Sequence, residues 1–372
     1  MSDRGEPAAG SGLESRGVRD PTSSVAAIDL FCGAGGLSYG LQEAGIPVMA
    51  GVDVDPACRF AFETNIGSPF LEMDMCDVRP EHLDDLWGDA DYRLLAGCAP
   101  CTPFSPYRRG IDTSADRKWP LLDQFARLVT ETEPDLVTME NVPRIISAGV
   151  FMRFVERLRN AGFHVAYETS DCLRFGLPQT RRRCVLLASR LGEIPPLRPD
   201  DGVRRTVRDA IGDLPLLESG QADPNDGLHR ARALTEINLR RIRASRPGGN
   251  WHDWPVELRA PCHRRATGAT FRNVYARMEW DQPAPTITTM PYNFGTGRFG
   301  HPDQDRALSL REAAIIQGFP HQYRFVREGS PVHFNRLGML IGNAVPPPLG
   351  RAIGHAMIEH LAAIRAGDAE HA

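Results

Sequence analysis

The stretch VAAIDLFCGAGGLSYG, residues 25–40, runs from apolar residues into Gly33, Gly35 and Gly36 and continues as the amphipathic LSYGLQEAG, residues 37–45. An apolar run, a glycine turn and a segment of helical period predict strand, tight turn and helix. That is the first unit of a doubly wound α/β sheet. A second run, PVMAGVDVD (47–55), ends in Asp53 and Asp55, about twenty residues beyond the glycines, where an acid at a strand end can bind ribose hydroxyls. Further runs at 92–98, 134–142, 164–171 and 183–190 alternate with helical patterns such as LLDQFARLVTET and FMRFVERLRNAG. The alternation predicts a mainly parallel sheet with its ligand at the carboxyl ends of the strands. Ser38 stands where a dinucleotide fingerprint has its third glycine, which weakens a pyrophosphate reading. The turn alone leaves S-adenosylmethionine, NAD and mere tight packing open. Asp74, near another strand end, could hydrogen-bond an adenine amino group.

Composition excludes several classes. At 372 residues, 42% hydrophobic and 24% charged, the chain has material for a large core, expected in two domains. Its eight cysteines are scattered behind no secretory signal, so free thiols in a reducing compartment are expected, with a cytoplasmic location. If the source is bacterial, the chain is expected at the nucleoid. Apolar runs are too short to span a bilayer. Residues 1–24 are polar and rich in Gly, Ser and Pro, as are disordered tails.

From about Leu191 the chain becomes rich in Pro, Gly and Asp, and no βα alternation resumes before residue 305. A second, smaller and irregular domain is expected there. The net charge of −4 hides a basic segment: Leu228 to Trp280 holds eleven Arg against four acids, a local balance of +7, together with Trp251, Trp254, Phe271, Tyr275 and Trp280. Such a segment suits a surface that meets phosphates and bases. A solvated Arg-rich face is the alternative, because every basic residue except Lys118 is Arg. SLREAAIIQGFP (309–320) reads as a helix. The chain then ends with a Gly-Asn turn and a proline-started amphipathic helix.

Together, in this order, the motifs resemble the DNA (cytosine-5) methyltransferase family from residue 25 to about 365. DLFCGAGGLSYG resembles its first motif, which implies that Phe31, Cys32 and the backbone around Gly33 and Gly36 approach S-adenosylmethionine. GVDVD resembles the second, with Asp53 on the ribose and Val54 against adenine, and Asp74 and Met75 resemble the third. GCAPCTPFS matches the Pro-Cys motif at Pro100 and Cys101, MENV the Glu-Asn-Val motif at Glu140, and QTRRR the Gln-x-Arg-x-Arg motif at Gln179, Arg181 and Arg183. LREAAIIQGFP and GNAVP resemble the last two, the latter bringing Asn343 and Ala344 to the cofactor pocket, which Leu121 is also expected to line. Two positions depart from the family. Thr102 replaces the usual Gln after the nucleophile, and Asp53 stands where Glu is more usual.

The resemblance implies a Rossmann-like methyltransferase with a catalytic and cofactor domain over 25–190, completed by 330–366, a target-recognition domain and hinge over 191–329, and a tail over 367–372. Carbon 5 of cytosine is a poor nucleophile, so thiolate attack on carbon 6 must first convert the ring to an enamine that takes a methyl from a sulfonium. Cys101 is the candidate, with positive potential from Arg183 favouring its ionised form. Glu140 would hold the ring nitrogen and amino group, and Arg181 and Arg183 complete the catalytic set. The base must leave the duplex to be reached. Thr102, Ser105, Gln179, Arg264, Arg265, Arg272 and Arg298 are the candidate DNA contacts; the basic segment and MPYNFGTGRFG (290–300) are expected to enter the major groove. Cys98, three residues before the nucleophile, reads as a small buried residue. No second C-x-x-C or His pair lies at ligand spacing to make it half of a metal site, so no metal is expected.

Expected products and partners are S-adenosylhomocysteine, double-stranded DNA, no membrane, and a cognate restriction endonuclease acting separately on a monomeric enzyme. The same reaction on tRNA is an alternative, as is a catalytically silent DNA-binding relative. An NAD oxidoreductase would leave Cys101 unexplained.

Overall fold

Val25–Leu30, the run before the glycine turn, is strand β1, and all six of its residues are buried. The computed structural model describes residues 24–100, 120–200, 204–265, 272 and 274–371. Behind β1 follow α1 (Gly36–Glu43), β2 (Val48–Asp53), α2 (Arg59–Ile66), β3 (Phe70–Glu72), the short α3 (Glu81–Asp84) and β4 (Tyr92–Gly97). Then come α4 (Pro120–Thr132), β5 (Leu136–Asn141), α5 (Gly149–Asn160), β6 (His164–Asp171), β7 (Gln179–Thr180) and β8 (Arg182–Ser189). The main sheet has seven strands in the order β3-β2-β1-β4-β5-β8-β6. The pairings from β3 to β5 are parallel, and β8 runs antiparallel to both β5 and β6. The expected mainly parallel, doubly wound sheet is therefore present, with an antiparallel edge.

Strand alternation divides the core between the two faces. Ala26, Ile28 and Leu30 point toward α4 and α5, where Phe125 and Phe154 meet at 5.3 Å between ring centroids. Val25 and Ala27 point to the other face, against Leu37 and Leu41 of α1 and against Ile353 and Met357 of the C-terminal helix α10, which is introduced below. Asp29 lies on that second face, a carboxyl inside an otherwise apolar strand.

The irregular segment begins after Ser189 and contains α6 (Val207–Ile211), α7 (Glu236–Arg243) and β9 (Ala284–Pro285), the last paired in parallel with β7. Its own apolar cluster is small: Ile242, Trp251, Trp254, Leu258, Phe294 and Ala307. Leu228, Met278, Ile287, Tyr292 and Phe299 instead join the core beneath the main sheet, so this segment shares its packing with the catalytic part. Trp251 and Trp254 are buried, with Trp251 stacked between His252 and His263 at 3.9 and 4.2 Å. These aromatics pack the segment internally, and the expectation that they face bases is corrected. In MPYNFGTGRFG likewise, Tyr292, Phe294 and Phe299 are buried.

The chain closes with α8 (Leu310–Ile316), α9 (Phe334–Asn343) and α10 (Pro347–His371). The Ser309 hydroxyl accepts from the Glu312 amide and the Glu312 carboxylate accepts from the Ser309 amide, a reciprocal cap that starts α8 one residue later than the sequence suggests. Gly342 and Asn343 form the last residues of α9 rather than a turn, and Ala344 is extended. Among the described residues no helix is long and apolar enough to cross a membrane.

Candidate active site

Strand order reverses between β1 and β4, and a crevice opens there at the carboxyl ends of the strands. A cavity of about 380 Å³ fills it. Its walls come from the turns after β1 (Phe31, Cys32, Gly33), β2 (Asp53, Val54, Asp55), β3 (Met73, Asp74, Met75) and β4 (Cys98, Ala99, Pro100), with Leu121 of α4 and Asn343 and Ala344 closing it. Every expected cofactor residue but one lines this space.

The exception is Gly36. A Cβ on Gly36 would come within 2.1 Å of the Val345 carbonyl oxygen. The missing side chain lets the 343–345 segment approach α1, so Gly36 shapes the cavity without facing it. Gly33 adopts φ +54°, a left-handed conformation open to glycine, and its amide donates to Asp53 Oδ2 at 3.0 Å. The Asp55 amide donates to Asp53 Oδ1 at 2.9 Å, so two backbone donors orient this carboxylate. Phe31 also has positive φ, at 58°, which turns the chain off β1 and places its ring at the cavity. Val54 is 62% exposed at the rim, an apolar surface available to a flat ring.

Asp29 was missed by the sequence reading, which took it as part of a strand. Asp29 lines the cavity; its Oδ2 accepts from the Ser38 hydroxyl at 2.6 Å, while Oδ1 is buried with no hydrogen-bond partner among the described residues. Burial, and to a smaller degree the charge of Asp53, push this carboxyl up to about 7, although the Ser38 hydroxyl pulls the other way. An acid in the middle of an apolar run was the available signal. Burial also pushes the Cys32 thiol well up, so it stays neutral and acts as apolar lining.

Glu140, at the end of β5, is 3% exposed. Its Oε2 accepts from Cys98 Sγ at 2.9 Å. Arg183 Nε lies 2.8 Å from Oε1 as an ion contact, and Oε1 accepts no hydrogen bond among the described residues. The pairing leaves a buried oxygen with an open lone pair. The Asn141 amide donates to the Ala99 carbonyl at 2.9 Å and ties the β4 turn to β5.

Arg181 and Gln179 have other surroundings. Arg181 is 2% exposed and donates to the carbonyls of Ile287, Gly342 and Ala344. Burial, with the neighbouring Arg183, lowers it to about 9. Gln179 is fully buried and bonds Ile316 O, Gln317 Oε1 and the Ile287 amide. Gln179 therefore joins β7 to the 287 and 316–317 segments, and its expected DNA contact is corrected: its amide is spent inside the protein. Arg181 holds the cofactor-side segment 342–344 through its terminal nitrogens, while its Nε has no hydrogen-bond partner among the described residues.

Cys101, Thr102 and Ser105 lie outside the described residues; Pro100, the covalent neighbour of Cys101, lines the cavity. Among the candidate base readers, Arg264 donates to the carbonyls of Val256, Glu257 and Arg259, and Arg298 to those of Gly248 and Gly249. Arg265 and Arg272 are exposed.

A family model described as C-5 cytosine-specific DNA methylase matches residues 25–359. The chain is 47% identical over 334 residues to the Type II methylase M.HgiDII of Herpetosiphon aurantiacus, covering 88% of this chain and 93% of that one. It is 26% identical to DNA (cytosine-5)-methyltransferase 2 of Arabidopsis thaliana over 91% of this chain and 29% of the longer plant protein. Among solved structures, a protein encoded within an E. coli prophage shares the fold with a TM-score of 0.70 at 21% identity, covering 91% of this chain and 99% of that one. The S. pombe Dnmt2 methyltransferase does so with a TM-score of 0.62 at 16% identity, covering 90% and 97%. With its doubly wound sheet, its switch-point cavity and a family match across nearly all the described elements, the chain belongs to the C-5 cytosine-specific DNA methylase family and is a DNA (cytosine-5)-methyltransferase.

Proposed function

We propose that the enzyme transfers a methyl group from S-adenosylmethionine to carbon 5 of a cytosine flipped out of a specific duplex sequence. The observation that carries this reading is the buried Glu140 carboxylate with Oε1 open, beside the cavity wall that ends at Pro100. A base entering there supplies the amino N–H that an otherwise unsatisfied buried acceptor requires, and its ring nitrogen accepts a proton or hydrogen bond from Glu140 as negative charge develops. Cys101 attacks carbon 6 of that base while Glu140 holds the ring as charge develops; after carbon 5 takes the methyl, loss of the carbon 5 proton with elimination of the Cys101 thiolate from carbon 6 restores the ring. Arg183 keeps positive potential on the carboxylate.

The cavity fits the cofactor by chemistry. Apolar Phe31, Val54, Met75 and Leu121 suit adenine, oriented Asp53 suits the ribose, and Asp29 Oδ1 suits the cationic amino-acid end. When bound, S-adenosylmethionine supplies the electrophilic methyl group and its product is S-adenosylhomocysteine. Methylation-sensitive sequencing of DNA from a host expressing the chain tests the function. Unmodified cytosines throughout, with active enzyme controls, would overturn it; methylated tRNA with unmethylated DNA would favour the RNA alternative.

Asp29 makes the pocket sensitive to pH. Its folded value near 7 exceeds the unfolded value of about 3.9, so the folded state binds the extra proton, and the associated stability is full below about pH 4 and lost as pH rises toward 7. The loss is on the order of 4 kcal/mol for the unliganded protein. Thermal unfolding without cofactor should show this fall in the wild type and not in Asp29→Asn. S-adenosylmethionine, whose ammonium prefers the carboxylate, should stabilise the wild type more at neutral than at acid pH. Equal pH dependence of the two proteins would remove Asp29 from the pocket's electrostatics.

Specificity is assigned to the basic segment, with roles divided by the structure's own hydrogen bonds. Arg265 and Arg272 are assigned the base or phosphate contacts; Arg264, although equally exposed, and half-buried Arg298 donate to loop carbonyls. Arg265→Ala or Arg272→Ala should relax the preference at one base pair, by about 1 to 3 kcal/mol, or weaken all duplexes alike and flatten the salt dependence. Binding isotherms on target and scrambled duplexes at two salt concentrations separate the two roles. Unchanged binding by both variants would place recognition elsewhere.

A further inference from the structure

Cys98, half-buried rather than buried as its sequence suggests, contributes to the cofactor cavity wall, but the motif reading gives its thiol no role. Its position follows from strand register. Gly97 pairs with Met139 across the parallel β4–β5 ladder, so the next residues, Cys98 and Glu140, lie side by side on the same face. The Cys98 amide donates to the Leu30 carbonyl at 3.2 Å, and the Asn141 side chain holds the Ala99 carbonyl at 2.9 Å, so the backbone carrying the thiol is fixed on both sides. The thiol then meets Glu140 Oε2 at 2.9 Å, on the oxygen that Arg183 does not face.

We propose that Cys98 is a positioning residue for Glu140: its S–H donates to Oε2, so the carboxyl plane is set from two strands before a base enters. The inference rests on the catalytic role given to Glu140 above. A carboxylate 3% exposed has little water to hold its orientation, so the few donors around it decide its rotamer. With no hydrogen bond accepted at Oε1, the Arg183 contact alone leaves the carboxyl free to rotate about its terminal bond, a torsion with a broad well. The Cys98 contact removes that freedom and presents the open lone pair of Oε1 to the substrate. A thiol is a weak donor that engages one oxygen and leaves the carboxylate's remaining acceptor capacity for the base.

The test uses the full-length enzyme. Cys98→Ala should lower kcat about tenfold, the equivalent of one hydrogen bond to a charged group. Cys98→Ser, which keeps a donor at the same place, should restore most of the rate. In a Glu140→Gln background, Cys98→Ala should add no further loss, because its effect acts through that carboxylate. A purely structural role for Cys98 predicts the opposite: Ser failing with Ala, or losses that add to those of Glu140→Gln. Any of these overturns the proposal. A readout independent of activity is the S–H stretching band of Cys98, isolated as the infrared difference between wild type and Cys98→Ala. It should move to higher frequency in Glu140→Gln, and a band indifferent to that change overturns the contact. If the wild type transfers no methyl to DNA, the functional reading falls while the band still decides the contact.

Discussion

Cys101→Ser is expected to lower methyl transfer by about four orders of magnitude or more, since a hydroxyl is a far weaker nucleophile than a thiolate and the reaction has no other route to the enamine. Duplexes carrying 5-fluorocytosine at the target, which lack a removable proton at carbon 5, should trap wild type as a denaturation-stable adduct and leave Cys101→Ser free. Cofactor affinity should be the same in both, because exchanging one sulfur for oxygen leaves the described cavity walls, from Phe31 through Pro100 to Ala344, in place. Cys98→Ala should still form the adduct, more slowly. Adduct formation by Cys101→Ser, or its loss in a folded Cys98→Ala protein, would mean that the nucleophile has been assigned to the wrong residue.

The second large effect belongs to Glu140. Glu140→Gln preserves the shape of the side chain and an acceptor for Arg183, but removes the carboxylate that exchanges hydrogen bonds or a proton with the ring. A fall in kcat of about 10² to 10⁴ is expected, the usual scale for a positioned acid or base. Glu140 does not line the cofactor cavity, so calorimetry with S-adenosylmethionine should give wild-type affinity. Steady-state kinetics on the target duplex decide the matter. A rate within tenfold of wild type would show that the buried carboxylate serves the fold instead.

Glu140 and Asp29 illustrate how unevenly the site could be read in advance. Glu140 follows a strand in a short motif, so its position at a carboxyl end was legible once the strand was recognised. Asp29 lies inside a strand, where periodicity assigns a face but says nothing of a cavity; its unpartnered Oδ1 became visible only when the turns after β1, β2, β3 and β4 were brought together. The Gln-x-Arg-x-Arg motif fared differently at each position. Arg183, expected to favour the Cys101 thiolate, lies against Glu140, whereas Gln179 and Arg181, in the same short stretch, are buried among groups more than a hundred residues away in sequence.

The basic segment makes the same point on a larger scale. Eleven arginines in sequence suggested one charged surface, but Arg277 is buried against the carbonyls of Ile242, Ser245, His301 and Gln304 and the carboxylate of Asp305. Arg264 brackets its own turn. A guanidinium with five donors satisfies carbonyls in irregular backbone as readily as phosphates, and composition cannot distinguish the two uses.

What the sequence determined by itself was local: the strand, glycine turn and helix at 25–43, the acids ending the second and third strands, the helical C-terminus, and motifs short enough to stand on one turn. Those features follow from periodicity, backbone sterics and the few residues that tolerate positive φ. What only the tertiary structure decided was which polar groups are left with an open bond. That depends on long-range neighbours, because a buried donor or acceptor must be satisfied by whatever the fold brings to it. Asp29 and Glu140 each keep one unsatisfied buried oxygen, and Arg181 an unsatisfied Nε, while the Gln179 amide finds protein partners at both its oxygen and its nitrogen.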